Sequence, residues 1–412
     1  MMKINIFLFL VYILIASLPC FSQGSWTQKA SYPLTARYYG NGFSIADKGY
    51  FIFGASNGVP NTVDLVEYDP STNAWIQKAN FPGGQRPQTH TFVIHNIVYI
   101  VSGVYWTGAP LDYTAYNDVW KYDPATNIWT PLNNFPGTGR HAGFAFECCG
   151  KGYFGIGFDE NNNFLYDFWE YNPLTDTWTQ KSNYPGPGRK SGFQFSLGEY
   201  GYVGMGIMSG TTQLNDVWQY NPSQDSWTQK NNFPASGLTW ESYFTMNGRG
   251  YVVTGRKVNL GINSQEVWEY DPDQDTWTSM QTFPGAARYA AAGFSINGKG
   301  YTGIGYSTTY QNDFWEFTPS ITGWYLPDEK QIEEVKIYPN PSNTDVNISI
   351  VKPRNKDISL AIYDASGKCV KRVDLERTSQ LITVEHSLFS VGVYYFVTGF
   401  GNKTIVKKLI IK

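Results

Sequence analysis

Phe195-Ser196-Leu197-Gly198-Glu199-Tyr200-Gly201-Tyr202-Val203-Gly204-Met205-Gly206, followed by Tyr220-Asn221-Pro222-Ser223-Gln224-Asp225-Ser226-Trp227, is one copy of a pattern that the chain writes six times. The Phe of each copy is Phe43, Phe92, Phe146, Phe195, Phe244 or Phe294, and the Tyr seven residues on is Tyr50, Tyr99, Tyr153, Tyr202, Tyr251 or Tyr301. Four further on stands Gly54, Gly103, Gly157, Gly206, Gly255 or Gly305. A variable stretch then leads to Pro70, Pro124, Pro173, Pro222, Pro272 or Pro319, each followed five residues later by a Trp, from Trp75 to Trp324. Copies recur every 47 to 54 residues. A unit of that length is too short to enclose a core, so it must bury its faces against its neighbours.

Each copy reads as four short strands. β-Favouring Tyr, Phe, Trp, Val and Ile cluster in runs of four to seven with no long helical period. Glycine-rich hairpins such as Asn297-Gly298-Lys299-Gly300 join the first two strands, and proline turns such as Tyr270-Asp271-Pro272-Asp273 join the last two. Four strands repeated six times predict an all-β protein whose main body is a six-bladed β-propeller. Trp26-Thr27-Gln28-Lys29 matches the outer-strand segment Trp178-Thr179-Gln180-Lys181. The N-terminal strand is therefore expected to complete the last blade and remove an open sheet edge, with closure by the Trp324 segment as the alternative.

The blocks resemble Kelch repeats, on the strength of Tyr202-x3-Gly206 followed by Tyr220 and Trp227, with the usual double glycine often spaced as Gly155-Ile156-Gly157. The resemblance covers about three quarters of the chain and implies a six-bladed Kelch-type propeller over residues 23–324.

The ends suggest an address. Lys3 and the apolar run Ile6 to Leu18, ahead of Cys20 and Ser22, read as a secretory signal peptide over residues 1–22, with cleavage before Gln23. That run is short for a membrane span, and no transmembrane segment is expected in the mature protein. Residues 325–334 form a polar linker. Residues 335–412 resemble the C-terminal sorting domain of the type IX secretion system. The match rests on Tyr338-Pro339-Asn340-Pro341, Asp364-Ala365-Ser366-Gly367-Lys368, Gly392-Val393-Tyr394 and the terminal Lys407-Lys408-Leu409-Ile410-Ile411-Lys412. It implies a small Ig-like β-sandwich recognised by an outer-membrane translocon, and a secreted or cell-surface destination.

Charge supports that partition. Setting aside Lys3 and the 13 basic and 10 acidic residues of 325–412 from the 31 and 34 of the whole chain leaves 17 against 24, about −7. Such a body repels nucleic acid. Cys148 and Cys149 remain in it, adjacent, and are read either as a vicinal disulfide or as two small turn residues. No His/Cys cluster has ligand spacing, and no metal or other cofactor is expected.

Residues repeated in every blade serve the blade, so function is sought where the pattern breaks. Five arginines, Arg37, Arg86, Arg140, Arg189 and Arg288, recur at one offset, and the acids Asp64, Asp118, Asp167, Asp216, Glu266 and Asp313 recur at another. They are either an anion-clamping ring at the channel mouth or braces paired with those acids. Blade five breaks the series with Leu238, then Trp240 and Glu241. His90 and His141 lie near the same strand of blades two and three, and an enlarged loop of blade two carries Tyr105, Trp106, Tyr113 and Tyr116. If these share one face, they frame a pocket for a glycan or present a hot spot to an extracellular protein.

Binding is therefore the expected activity, rather than catalysis. A galactose-oxidase-like copper centre needs two tyrosines, two histidines and a tyrosine-linked cysteine, whereas the propeller has only His90, His95 and His141 and its cysteines sit at the far hairpin end of a blade. A sialic-acid mutarotase-like enzyme is the alternative, drawing an acid/base pair from Glu241 with His141 or His90.

Overall fold

The computed structural model describes residues 24–56, 62–106, 113–209, 211–319, 335–350, 358–364, 369–375, 381–400 and 403–412. The signal segment 1–22, the linker 325–334, Trp324, Gly367 and Lys368 lie outside these, as does the side chain of Trp106.

Residues 24–319 form six four-stranded antiparallel sheets. The innermost strands are Asn41–Ile45, His90–Ile94, Phe144–Cys148, Phe193–Leu197, Ser242–Met246 and Ala292–Ile296. Each touches the next and the last touches the first, which closes the ring. The outer strand of blade six is Ser25–Lys29, paired antiparallel with Phe314–Thr318 so that Trp26 faces Phe317. The N-terminal strand thus closes the propeller, as the Trp26 segment predicts.

The repeated aromatics fill the space between blades. Phe43 and Tyr50 stack at 5.2 Å and 7°, and Phe146 and Tyr153 at 5.5 Å and 23°. Such pairs add about 0.5–1.5 kcal/mol each beyond the area they bury. The glycine ahead of the repeated Tyr, present in every copy but the second, where Val98 stands, is fixed by this layer: a Cβ on Gly152 would lie 2.2 Å from the Phe92 ring of the preceding blade. Outer strands are latched by turn residues in the left-handed region. Asp176 (φ 52°) accepts a bond from the Tyr171 hydroxyl at 2.8 Å and, through its other oxygen, from the Asn133 N–H of the preceding blade at 3.0 Å.

The C-terminal part is a separate two-sheet unit. Val335–Tyr338, Val346–Ile350 and Leu381–Val384 form one sheet, and Cys369–Leu375, Ile358–Asp364, Gly392–Phe400 and Lys403–Ile411 the other. Val346, Ile348, Ile362, Phe396, Leu409 and Ile411 form its core. Tyr338, Pro339 and Pro341 are exposed, and Gly392 opens a strand. Asn340 holds the last strand, its amide donating to the Lys408 carbonyl at 2.7 Å and accepting from the Ile410 N–H at 3.0 Å. Tyr394 is buried, with its hydroxyl bonded to Ser390. No helix among the described residues is long and apolar enough to cross a membrane.

Candidate functional site

Antiparallel order within each blade puts the start of the innermost strand and the loop between the second and third strands on one face, here called the upper face. The chain enters each innermost strand through a residue forced into the left-handed region. These are Tyr39, Gln88, Ala142, Ser191, Trp240 and Ala290, with φ between 50 and 60°. Four bonds bind them blade to blade: Ser191 N–H to Ala142 carbonyl at 3.0 Å, Trp240 to Ser191 at 2.9 Å, Ala290 to Trp240 at 2.7 Å, and Tyr39 to Ala290 at 3.0 Å. None of the six is glycine, so each carries a strain of order 1 kcal/mol, which these bonds sustain at the five residues other than Gln88.

Inside the ring lies a cavity of about 130 Å³. Its polar wall includes Asn41, Gln88, His90, Gln194, Glu241 and Tyr243, and Tyr39 and Trp240 also line it. It has room for a few waters or one small polar group.

Glu241 is the unusual member. It is 5% exposed, and neither carboxyl oxygen has a hydrogen-bond partner. Burial pushes its carboxyl up to about 8; the backbone N–H groups of Glu241 and Phe193 pull the other way, without reaching hydrogen-bond geometry. His90 is buried and neutral, held down to about 3 by desolvation, and its Nε2 accepts the Gly143 N–H at 2.7 Å. His141 stands outside the cavity. Its Nδ1–H donates to Gln88 Oε1 at 2.8 Å, its ring lies edge-on to Tyr113 at 4.8 Å, and burial holds it to about 4.

The arginines do not form a ring at the channel mouth. Arg37, Arg86, Arg140, Arg189 and Arg288 are at most 2% exposed, and each pairs with the acid of its own repeat: Asp64, Asp118, Asp167, Asp216 and Asp313. Each guanidinium also packs on the aromatic ring of its Phe/Tyr-Pro step, as Arg140 does on Phe135 at 5.0 Å. These partners engage the guanidinium groups inside the blades, where at most 2% of each arginine is open to solvent. Blade five, lacking the arginine, satisfies Glu266 with Lys257 from a hairpin over the upper face.

The enlarged loop of blade two forms a small hairpin, Val104–Trp106 against Tyr113–Ala115. Tyr105 is exposed, while the Tyr113 hydroxyl donates to the Asp159 carbonyl at 2.9 Å. Tyr116 is used otherwise, lying 4.1 Å from the Arg86 guanidinium. Cys148 and Cys149 form no disulfide; their sulfurs are 3.6 Å apart, at S–H···S hydrogen-bond distance, at the opposite end of a blade.

Sequence reasoning missed an aromatic arc on the upper face. Tyr38 contacts Tyr39, Tyr306 and Tyr310 at 4.3, 5.9 and 5.4 Å, and Trp240 contacts Tyr289 at 5.6 Å and Tyr39 at 6.4 Å. Arg256 lies over Tyr289 at 5.3 Å. The available signal was the position two residues after each arginine slot, where Tyr39 and Trp240 differ from the small or amide residues of other blades.

Comparison with known proteins agrees with this architecture. Residues 86–136 match the Kelch motif, and residues 336–412 match the secretion system C-terminal sorting domain. The solved structure of YjhT superposes with a TM-score of 0.60 at 16% identity, covering 70% of this chain and 97% of that one. The chain is a Kelch-type β-propeller with a C-terminal type IX sorting domain.

The Kelch propeller is also similar to N-acetylneuraminate epimerase of Shigella sonnei (strain Ss046), 33% identical over 87 residues, which are 21% of this chain and 23% of that protein. The epimerase of Escherichia coli O157:H7 is 31% identical over 96 residues, 23% and 26% of the two chains. The chain thus spans about a quarter of the length of these relatives. The sorting domain marks the Kelch propeller for export by the type IX system, to the cell surface or beyond. Among the described residues, no group of three or more His, Cys, Asp or Glu is placed to hold a metal ion.

Proposed function

We propose that the exported Kelch propeller is a glycan-binding protein whose ligand lies on the upper face, across the mouth of the central cavity. The observation that carries this is the arc of Tyr38, Tyr39, Trp240, Tyr289, Tyr306 and Tyr310 beside a polar cavity. Aromatic faces stack on the apolar faces of sugar rings, and a cavity of this size admits one substituent of the ring.

Strongly anionic sugars fit this face poorly. The five repeat arginines are engaged with their own aspartates, and the acid in the cavity is Glu241. This disfavours a sialic-acid mutarotase, in spite of the partial similarity to epimerases. A protein partner is the second reading, favoured by Tyr105, Leu260 and Ile262, which stand 40, 61 and 52% exposed in upper-face hairpins.

The test is calorimetric titration of the full chain with neutral oligosaccharides, repeated on Trp240→Ala. The proposal expects binding that the substitution weakens about tenfold, on the scale of losing one stacking contact. Binding unaffected by Trp240→Ala contradicts the placement of the site.

A further inference from the structure

The cavity's acid narrows the ligand class. In the other blades, buried or half-buried carboxylates have partners: Asp167 has Arg140, Glu170 the Tyr153 hydroxyl, and Glu316 both Lys299 and Tyr301. Glu241 has none, although it is almost wholly buried and lines the cavity. A buried carboxyl that served only the blade would carry a desolvation cost with nothing to offset it.

Among the described residues, no Lys or Arg lines the cavity, and none of its polar groups reaches the Glu241 carboxyl. The Asn41 amide donates to the Thr89 carbonyl at 2.7 Å, and the Gln194 amide oxygen accepts the Ala145 N–H at 3.2 Å. His90 is neutral, its Nε2 accepts the Gly143 N–H, and its Nδ1 has no hydrogen-bond partner. The cations of the rim have other contacts, Arg256 with Asn263 and the Tyr289 ring, and Lys190 with the Phe158 ring at 4.1 Å. What the site lacks is a positive charge beside Glu241, which a bound group would have to bring. A primary ammonium supplies three donors in a compact head, and the Trp240 and Tyr39 rings beside it favour a cation.

We propose that the central cavity receives the ammonium group of an amino sugar, with Glu241 as its counter-charge and the sugar ring held on the aromatic arc. This rests on the glycan reading of the same face. A linear β-glucosamine oligosaccharide has the required chemistry, and its N-acetylated counterpart has the same rings without the charge. Binding of the ammonium form ionises Glu241, so one proton leaves the protein for each amine taken up at pH 6. The titratable groups around it, His90 and Tyr243, keep their protonation there because burial holds both neutral.

The experiment is calorimetric titration of the full chain with a glucosamine tetrasaccharide and with its N-acetylated form, at pH 6 in two buffers of different ionisation enthalpy. The proposal expects the amine form to bind at least about tenfold tighter, with release of about one proton. Glu241→Gln is expected to abolish both the preference for the amine form and the proton release. Thermal unfolding of Glu241→Gln checks that the fold is intact. Equal affinity for the two oligosaccharides, or a preference that survives Glu241→Gln, overturns the ammonium site while leaving the glycan reading in place. Failure of both oligosaccharides and of all neutral glycans to bind overturns the two together.

Discussion

Arg140 meets Asp167 through two parallel hydrogen bonds, Nη1 to Oδ1 at 2.7 Å and Nη2 to Oδ2 at 2.8 Å, with the guanidinium fully buried. The same carboxylate accepts the Trp169 indole N–H at 2.7 Å. Burial alone raises this carboxyl, and the guanidinium more than offsets it, so Asp167 sits below the usual carboxylate range. One charged pair thus ties together the chain ahead of the innermost strand, the chain ahead of the third strand and the outward-facing tryptophan. Replacing Asp167 with Asn leaves a buried guanidinium half-partnered and is expected to cost about 3 kcal/mol in urea unfolding. The pair's contribution is present above the usual carboxylate range and is lost as pH falls below it.

Blade five offers the contrast. Lys257 and Glu266 are 17 and 35% exposed, and the pair reaches its place from a hairpin rather than from the blade interior. Lys257→Met is expected to cost no more than about 1 kcal/mol, because a partly hydrated ion pair contributes little. A loss equal to that of Asp167→Asn would contradict the difference drawn between the two pairs.

Glu241 sets a pH dependence of its own. Its folded carboxyl titrates near 8 against an ordinary value of 4.5, so between those values the folded state holds a proton that the unfolded state has released. Stability therefore falls as pH rises through that window, by roughly 3 kcal/mol between pH 5 and 8. Glu241→Gln removes the term. Its melting temperature should exceed that of the native chain by more at pH 8 than at pH 5, as differential scanning fluorimetry in matched buffers can show.

Deleting residues 335–412 removes the whole sorting unit, and the propeller is then expected to stay inside the cell envelope. Fractionation followed by immunoblotting reads this directly; unchanged export of the shortened chain would contradict the role of the tail. Asn340→Ala is the milder variant, releasing the last strand from the two bonds at Lys408 and Ile410. It is expected to lower the unfolding free energy of this unit by about 1–2 kcal/mol.

The propeller was legible because its repeats share spacing, and spacing survives in sequence: Phe43, Tyr50 and Gly54 each recur at fixed offsets. Closure was legible from Trp26, whose surroundings copy those of Trp178. Direction was not. Periodicity shows that Arg37 and its equivalents belong to every blade, but a guanidinium aimed at the axis and one folded back on Asp64 have the same spacing. Trp240 and Glu241 stood out as breaks in the pattern, and both line the cavity. Tyr38, Tyr289, Tyr306 and Tyr310 did not, since in a chain with 30 tyrosines no spacing separates an arc gathered from blades one and six from the aromatic background. The latch residues Asn73, Asn127, Asp176, Asp225 and Asp275 were present in the repeat, but their left-handed backbone and cross-blade bonds emerge only in the fold.

The measurement that bears most directly on the account is a thermal-shift screen of the full chain against neutral, amine-bearing, sialylated and sulfated glycans, with Trp240→Ala and Leu174→Ala in parallel. Leu174 is exposed in a turn on the opposite face and serves as the control. The account predicts stabilisation by neutral or amine-bearing glycans that Trp240→Ala removes and Leu174→Ala preserves. Stabilisation by sialylated or sulfated glycans alone, or none by any member of the panel, would contradict it.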